Sequence, residues 1–170
     1  TYYTLMPLVP GIFEFYFSSG RDSDEKRKVA ELLERYFLNG FGMELGASDY
    51  PAIRVMPIEK TVMLDRKIDS NLSIFPFEKM SEFISSSQKI GVINCACRTK
   101  KKCSHPLETC IVFDSSADFM VERGFGRYLT AREALDLLDN MEKAGLVHCA
   151  MNTQTKPQFI CNCCTCACLG

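Results

Sequence analysis

The 170-residue sequence has no cysteine before position 95, no excess charge of either sign, no long apolar run and only two histidines. Each absence excludes something. Twenty basic against twenty-one acidic side chains give a formal charge of −1, which argues against a chain whose main task is holding phosphate backbone; nucleic acid is not expected as a partner on this ground. A membrane-spanning helix needs about 20 consecutive apolar residues, so no membrane insertion is expected. With 46% hydrophobic and 24% charged residues, the chain is not disordered by composition and can bury a core of its own. It shows no nucleophile–base pair, phosphate loop or substrate-binding motif. Independent catalysis therefore has little support, and any catalysis is expected of a partner.

The first 94 residues read as a small α+β layer. Ile12 to Phe17 is apolar on both faces, as a buried strand would be. Ser23, Asp24 and Glu25 then offer capping chemistry, and Val29, Leu32, Leu33, Tyr36 and Phe37 recur at amphipathic-helix spacing up to Gly40. Short strands are expected at Ala52 to Pro57 and Thr61 to Leu64. A helix is expected to open at Pro76 with Phe77, Met80, Phe83 and Ile84 on one face, followed by a strand from Ile90 to Asn94.

The region 95–170 is cysteine-rich. It predicts a short helix from Ser116 to Arg123, then the capping box Thr130-Ala-Arg-Glu133 before Ala134, Leu137, Leu138 and Met141, with Gly145 as the stop. Leu146 to Met151 and Gln158 to Ile160 would form a hairpin. Helix, helix, hairpin is the order of a winged-helix unit. The expected fold is therefore α+β in two regions, 1–94 and 95–170.

All ten cysteines lie between Cys95 and Cys168. The first block, Cys95, Cys97, Cys103 and Cys110, sets four thiols in sixteen residues. The second, Cys161, Cys163, Cys164, Cys166 and Cys168, sets five in eight. Such tight runs are hard to pair internally, because a disulfide needs a particular Cα separation and dihedral. Soft thiolate ligands on short segments suit zinc or an iron–sulfur cluster, and unpaired thiols imply a reducing interior, here the cytoplasm. These nine cysteines are the expected cofactor ligands. Cys149 stands apart at a strand end, where a small buried apolar role is more common. His105, before Pro106 in a turn, and His148, beside Cys149, are not expected to be ligands. Arg98, Lys100, Lys101 and Lys102 could offset thiolate charge, and Glu108 could hold a basic side chain near the site.

Taken in order, Ile93-Asn-Cys95-Ala-Cys97-Arg98, Cys103-Ser-His-Pro106-Leu-Glu108-Thr-Cys110, Gly126-Arg127 and Phe159-Ile-Cys161-Asn-Cys163-Cys164 resemble the 4Fe-4S ferredoxin-type proteins of anaerobic bacteria and archaea. Those carry C-x-C-R, C-x-x-P-x-E-x-C and C-N-C-C-x-C motifs. The resemblance also covers Gly11-Ile-Phe-Glu14-Phe15. It implies one or two 4Fe-4S clusters on the nine cysteines, electron transfer in an anaerobic redox system, and a redox protein or ferredoxin-type domain as partner. Two departures stand out: the interval between C-x-C-R and C-x-x-P is shorter than in the relatives, and Ala167 replaces a common cysteine. The relatives' usual pair of C-x-x-C-x-x-C-x-x-x-C-P motifs is absent, so the chain is expected to be a piece of a longer protein. The alternatives are a zinc-stabilised protein-interaction module and a redox-responsive regulator. Against a DNA-binding regulator, Ala131 to Ala144 sets Arg132 and Lys143 against Glu133, Asp136, Asp139 and Glu142, a face that would repel phosphate.

Overall fold

The computed structural model describes residues 13–18, 23–49, 53–56, 80–101, 103–151 and 156–168. Its six strands are β1 (Ile53–Val55), β2 (Ile90–Asn94), β3 (Glu108–Phe113), β4 (Gly126–Leu129), β5 (Val147–Met151) and β6 (Phe159–Cys163). They form one sheet in the order β1-β5-β6-β3-β2-β4, and every pairing is antiparallel. With helices on both faces, the fold is α+β.

Side-chain alternation divides the sheet into two apolar faces. On one, Val92, Ile111, Ile160 and Ala150 meet Met80 and Ile84 of α4 (Met80–Ser86) and Ala134 and Leu138 of α7 (Ala131–Lys143). On the other, Ile93, Val112 and Phe159 meet Ala117 and Met120 of α6 (Asp114–Glu122). The central strands β2, β3 and β6 are thus covered on both sides, while the edge strands β1 and β4 stay partly exposed.

Helix α7 shows how local sequence sets an element. Thr130 accepts a hydrogen bond from the Glu133 amide at 3.2 Å, while Glu133 accepts from the Thr130 amide at 2.7 Å, so two otherwise orphaned donors are satisfied. Gly126 shows a different constraint. A Cβ placed there would lie 2.0 Å from the Val92 carbonyl oxygen, so β4 approaches β2 at a distance only glycine allows.

The N-terminal elements depart from the sequence reading. The segment expected as a strand is a helix, α1 (Phe13–Ser18). Lacking alternation, it gains more as a helical turn, which sends Phe15 to Phe119, with ring centroids 4.9 Å apart, and Phe17 into a separate cluster with Ala30 and Leu33. Helix α2 (Asp24–Tyr36) begins where expected, with the Ser23 hydroxyl accepting from the Lys26 amide at 3.1 Å. Gly40 does not stop it. A π-helical turn, Phe37–Phe41, leads into α3 (Gly42–Gly46), and Tyr36, Phe37 and Phe41 stack around the turn. The turn brings the Phe37 carbonyl oxygen within 2.6 Å of where a Cβ of residue 42 would stand, and Gly42 leaves that space open.

Elsewhere β1, α4, β2, α6, α7, β5 and β6 fall at or near the expected segments. The expected strand Thr61 to Leu64 and the opening Pro76-Phe77 lie outside the described residues. The helix, helix, hairpin order is present as α6, α7, β5 and β6, with β4 between the helices. The hairpin is no free wing, because β6 also pairs with β3. One sheet takes β1 and β2 from before position 95 and four strands from after it.

Candidate metal centre

The sheet delivers the cysteines to one end. Strand β2 runs straight into Cys95, whose amide donates to the Leu107 carbonyl at 2.7 Å. Helix α5 (Ala96–Lys101) follows at once and carries Cys97 and Arg98. Cys110 lies on β3, and Cys149 on β5 stands directly across from Cys161 on β6. Cys161 and Cys163, two residues apart, share a face. Beyond them the chain closes a turn in which the Cys168 amide donates to the Cys164 carbonyl at 3.1 Å.

These positions divide the ten sulfurs in two, and the division does not follow the two sequence blocks. The smaller group joins Cys103 and His105 with Cys164 and Cys166, their ligand atoms all within 4.8 Å of one another. Cys103 Sγ lies 2.8 Å from Cys166 Sγ, 3.6 Å from Cys164 Sγ and 3.1 Å from His105 Nδ1, and Cys164 and Cys166 are 3.2 Å apart. It packs against Met141, Leu146 and Leu137 below the end of α7. This Cys/His group could hold a metal ion.

The other seven thiols are neighbours near enough to shift one another's proton affinity. Cys95 is coupled to Cys110 and Cys97, Cys110 to Cys161, Cys161 to Cys163, Cys163 to Cys149 and Cys168, and Cys97 to Cys168. Hydrogen bonds from Cys110 and Cys97 hold Cys95 down to about 3 against its burial. Those from Cys110 and Cys163 hold Cys161 down to about 5. Cys97, Cys110 and Cys163, the donors, are pushed far up. Cys149 is shifted down as well, by its hydrogen bond from Cys163, and thiolate is the form that ligates a soft metal. None of the ten cysteines is in a disulfide.

Arg98 lies between the two groups and is 1% exposed. It donates to the Asn162 carbonyl at 2.7 Å and to Thr109 Oγ1, and its Nη1 lies 3.9 Å from Cys164 Sγ. Burial works against its charge, but Cys95, Cys164 and Cys110 outweigh that and raise its pKa. Its seat is prepared by a β-bulge, where the β2–β3 register shifts between Ile93 and Asn94, opposite Thr109. The Asn162 side chain completes the seat: its amide donates to the Thr109 carbonyl and its Oδ1 meets His148 Nδ1. Burial lowers the His148 pKa, with the Asn162 contact opposing.

Of the nine cysteines expected as ligands, Cys103, Cys164 and Cys166 lie in the Cys/His group and the other six among the remaining seven thiols. Cys149, expected as an inert apolar residue, is buried but belongs to the seven. His105, set aside because it precedes a proline, belongs to the four; the matched pairs Cys103-x-His105 and Cys164-x-Cys166 were the available signal. His148 joins neither. Among the basic residues, Arg98 turns inward, Lys100 buries its Nζ near Cys97, and Lys101 pairs with Glu34 at 2.7 Å. Lys102 lies outside the described residues. Glu108 holds Arg127 in a two-point ion pair at 3.1 Å.

No family model matches the chain, and no curated protein or solved structure matches it. The geometry defines the class: a cysteine-rich α+β protein with a Cys/His group able to hold a metal. No helix among the described residues is long and apolar enough to cross a membrane.

Proposed function

We propose that the protein is an iron–sulfur protein serving electron transfer, with the seven-thiol group as the cluster site. The observation that carries this reading is the number of sulfurs in one place. A single tetrahedral ion takes four ligands, whereas seven cysteines, Cys95, Cys97, Cys110, Cys149, Cys161, Cys163 and Cys168, are brought to one end of the sheet outside the Cys/His group. A polynuclear centre makes use of such a surplus, and a 4Fe-4S cluster takes four cysteine thiolates. Arg98 supports the fit, since a buried guanidinium offsets the negative charge that thiolates bring.

When bound, a cluster supplies one-electron transfer at a potential set by burial and by hydrogen bonds to sulfur. The chain's own part is to hold the thiols on three adjacent strands, one helix, the β2–α5 junction and the turn after β6, keep Arg98 dry, and wall the group with Ile93, Phe159 and Met120. The resemblance to the ferredoxin-type family points the same way. It adds the rest of the proposal: a redox protein or ferredoxin-type domain as partner, in the cytoplasm of an anaerobe.

The test is iron, zinc and acid-labile sulfide per chain in protein purified without oxygen, with a visible spectrum before and after dithionite. Brown protein with matched iron and sulfide, bleaching on reduction, is expected. Colourless protein with zinc and no labile sulfide would overturn the reading in favour of a zinc-stabilised interaction module.

A further inference from the structure

The smaller group calls for different chemistry from the larger. We infer that Cys103, His105, Cys164 and Cys166 form a separate mononuclear site for a divalent cation of zinc type. The inference goes beyond the iron–sulfur reading and does not rest on it.

Convergence is the first argument. A cluster takes its thiolates one per iron, spread around a body of iron and sulfide, while a single ion needs its ligand atoms around one point. The four atoms here already lie within 4.8 Å of one another. Zinc–sulfur bonds of about 2.3 Å in a tetrahedron place sulfurs about 3.8 Å apart. The Cys103–Cys164 separation of 3.6 Å is close to that, and the Cys103–Cys166 contact of 2.8 Å needs to open by only about 1 Å.

Ligand chemistry is the second. Three thiolates and one imidazole are a common structural zinc set. His105 is presented through Nδ1 at 3.1 Å from Cys103 and 3.8 Å from Cys166. Charge is the third. A divalent ion on three thiolates and a neutral imidazole leaves one net negative charge, and Arg98, with Nη1 at 3.9 Å from Cys164 Sγ, supplies one positive charge. Binding releases the thiol protons that the free site holds.

Placement suggests the role. Cys103 and His105 follow the end of α5, whereas Cys164 and Cys166 begin the C-terminal turn. One ion would tie these two segments over the apolar floor of Met141, Leu146 and Ala167. The other seven thiols would keep their own ligation.

The experiment uses the full chain purified without oxygen. Its iron, sulfide and zinc are counted, and cobalt(II) is titrated as the spectroscopic probe, with zinc as competitor. One zinc-displaceable cobalt per chain with tetrahedral thiolate bands is expected. In His105→Ala, cobalt affinity should fall by more than about tenfold with iron and sulfide unchanged, which also shows that the variant folds. Cys166→Ser should behave alike. No stoichiometric divalent ion, or cobalt binding indifferent to both variants, overturns the inference while leaving the iron reading intact. Loss of iron together with cobalt in both variants also overturns it, because the two groups would then be one site. A chain with zinc but no iron or sulfide upholds this inference and removes the reading above.

Discussion

The same strands are held by different forces at their two ends. At one end of β2, β3 and β6, Ile90, Val92, Ile111, Phe113 and Ile160 pack against α4 and α7, and close apolar contact is the main force. At the other end, Cys95, Cys110, Cys161 and Cys163 take the places that leucine or isoleucine would fill, and the buried residues include Arg98, Thr109, Asn162 and His148. Apolar packing tolerates small changes in volume. A buried cation with its hydrogen-bond partners does not, since each partner it leaves behind is unsatisfied. The sulfur end is therefore specified by chemistry, and the apolar end by shape.

Removing Arg98 should break this contrast most severely. In Arg98→Ala, Thr109 Oγ1 and the Asn162 carbonyl lose a donor and the sulfurs on both sides lose their buried cation. A loss of about 4 kcal/mol is expected, read by denaturant unfolding of the anaerobic protein. Leu138, 2% exposed on α7, gives the matching experiment at the apolar end. Leu138→Ala should cost about 3 kcal/mol through the cavity it leaves. Below its unfolding transition, iron and sulfide per chain should be unchanged, whereas Arg98→Ala should lower iron retention as well.

Two smaller effects sharpen the comparison. Thr130→Ala removes half of the capping box and should cost about 1 kcal/mol, seen as a lower midpoint with no change in visible spectrum. Asp114 fastens the apolar end of β2. It accepts from the Gln88 and Lys89 amides at 2.9 and 3.2 Å and from Lys156 at 3.2 Å. Burial pushes its pKa up, but these partners outweigh it and hold the carboxyl below its ordinary 3.8. Its contribution to stability is present above that ordinary value and is lost as pH falls through the lowered one. Asp114→Asn should lack this part of the acid dependence in an unfolding series from pH 5 to about pH 2.

The apolar end was legible in the sequence because its signals are local. Alternation placed β2, helical spacing with a capping box placed α7, and Gly145 marked the end of α7. The aromatic run Phe13 to Phe17 was misread because a segment apolar on every side carries no period. Gly40 was misread as a stop because the π turn depends on the stacking of Tyr36, Phe37 and Phe41 rather than on any one residue. At the sulfur end the ligand residue types were legible, but their division was not. That Cys110 meets Cys161, and Cys161 meets Cys149, follows from strand register between segments far apart in sequence. The deep burial of Arg98 follows from the bulge opposite Thr109, which no local pattern announces.

The central claim, that the thiols divide by sheet register and not by sequence block, is tested most directly by iron content in two paired variants. Cys110→Ser with Cys161→Ser draws one residue from each block, both in the seven-thiol group. Cys103→Ser with Cys166→Ser also draws one from each block, both in the smaller group. The account predicts that the first pair holds less iron and labile sulfide, since two central members of the seven are gone, while the second keeps both. Retention in the first pair with loss in the second would contradict it, as would equal loss in both.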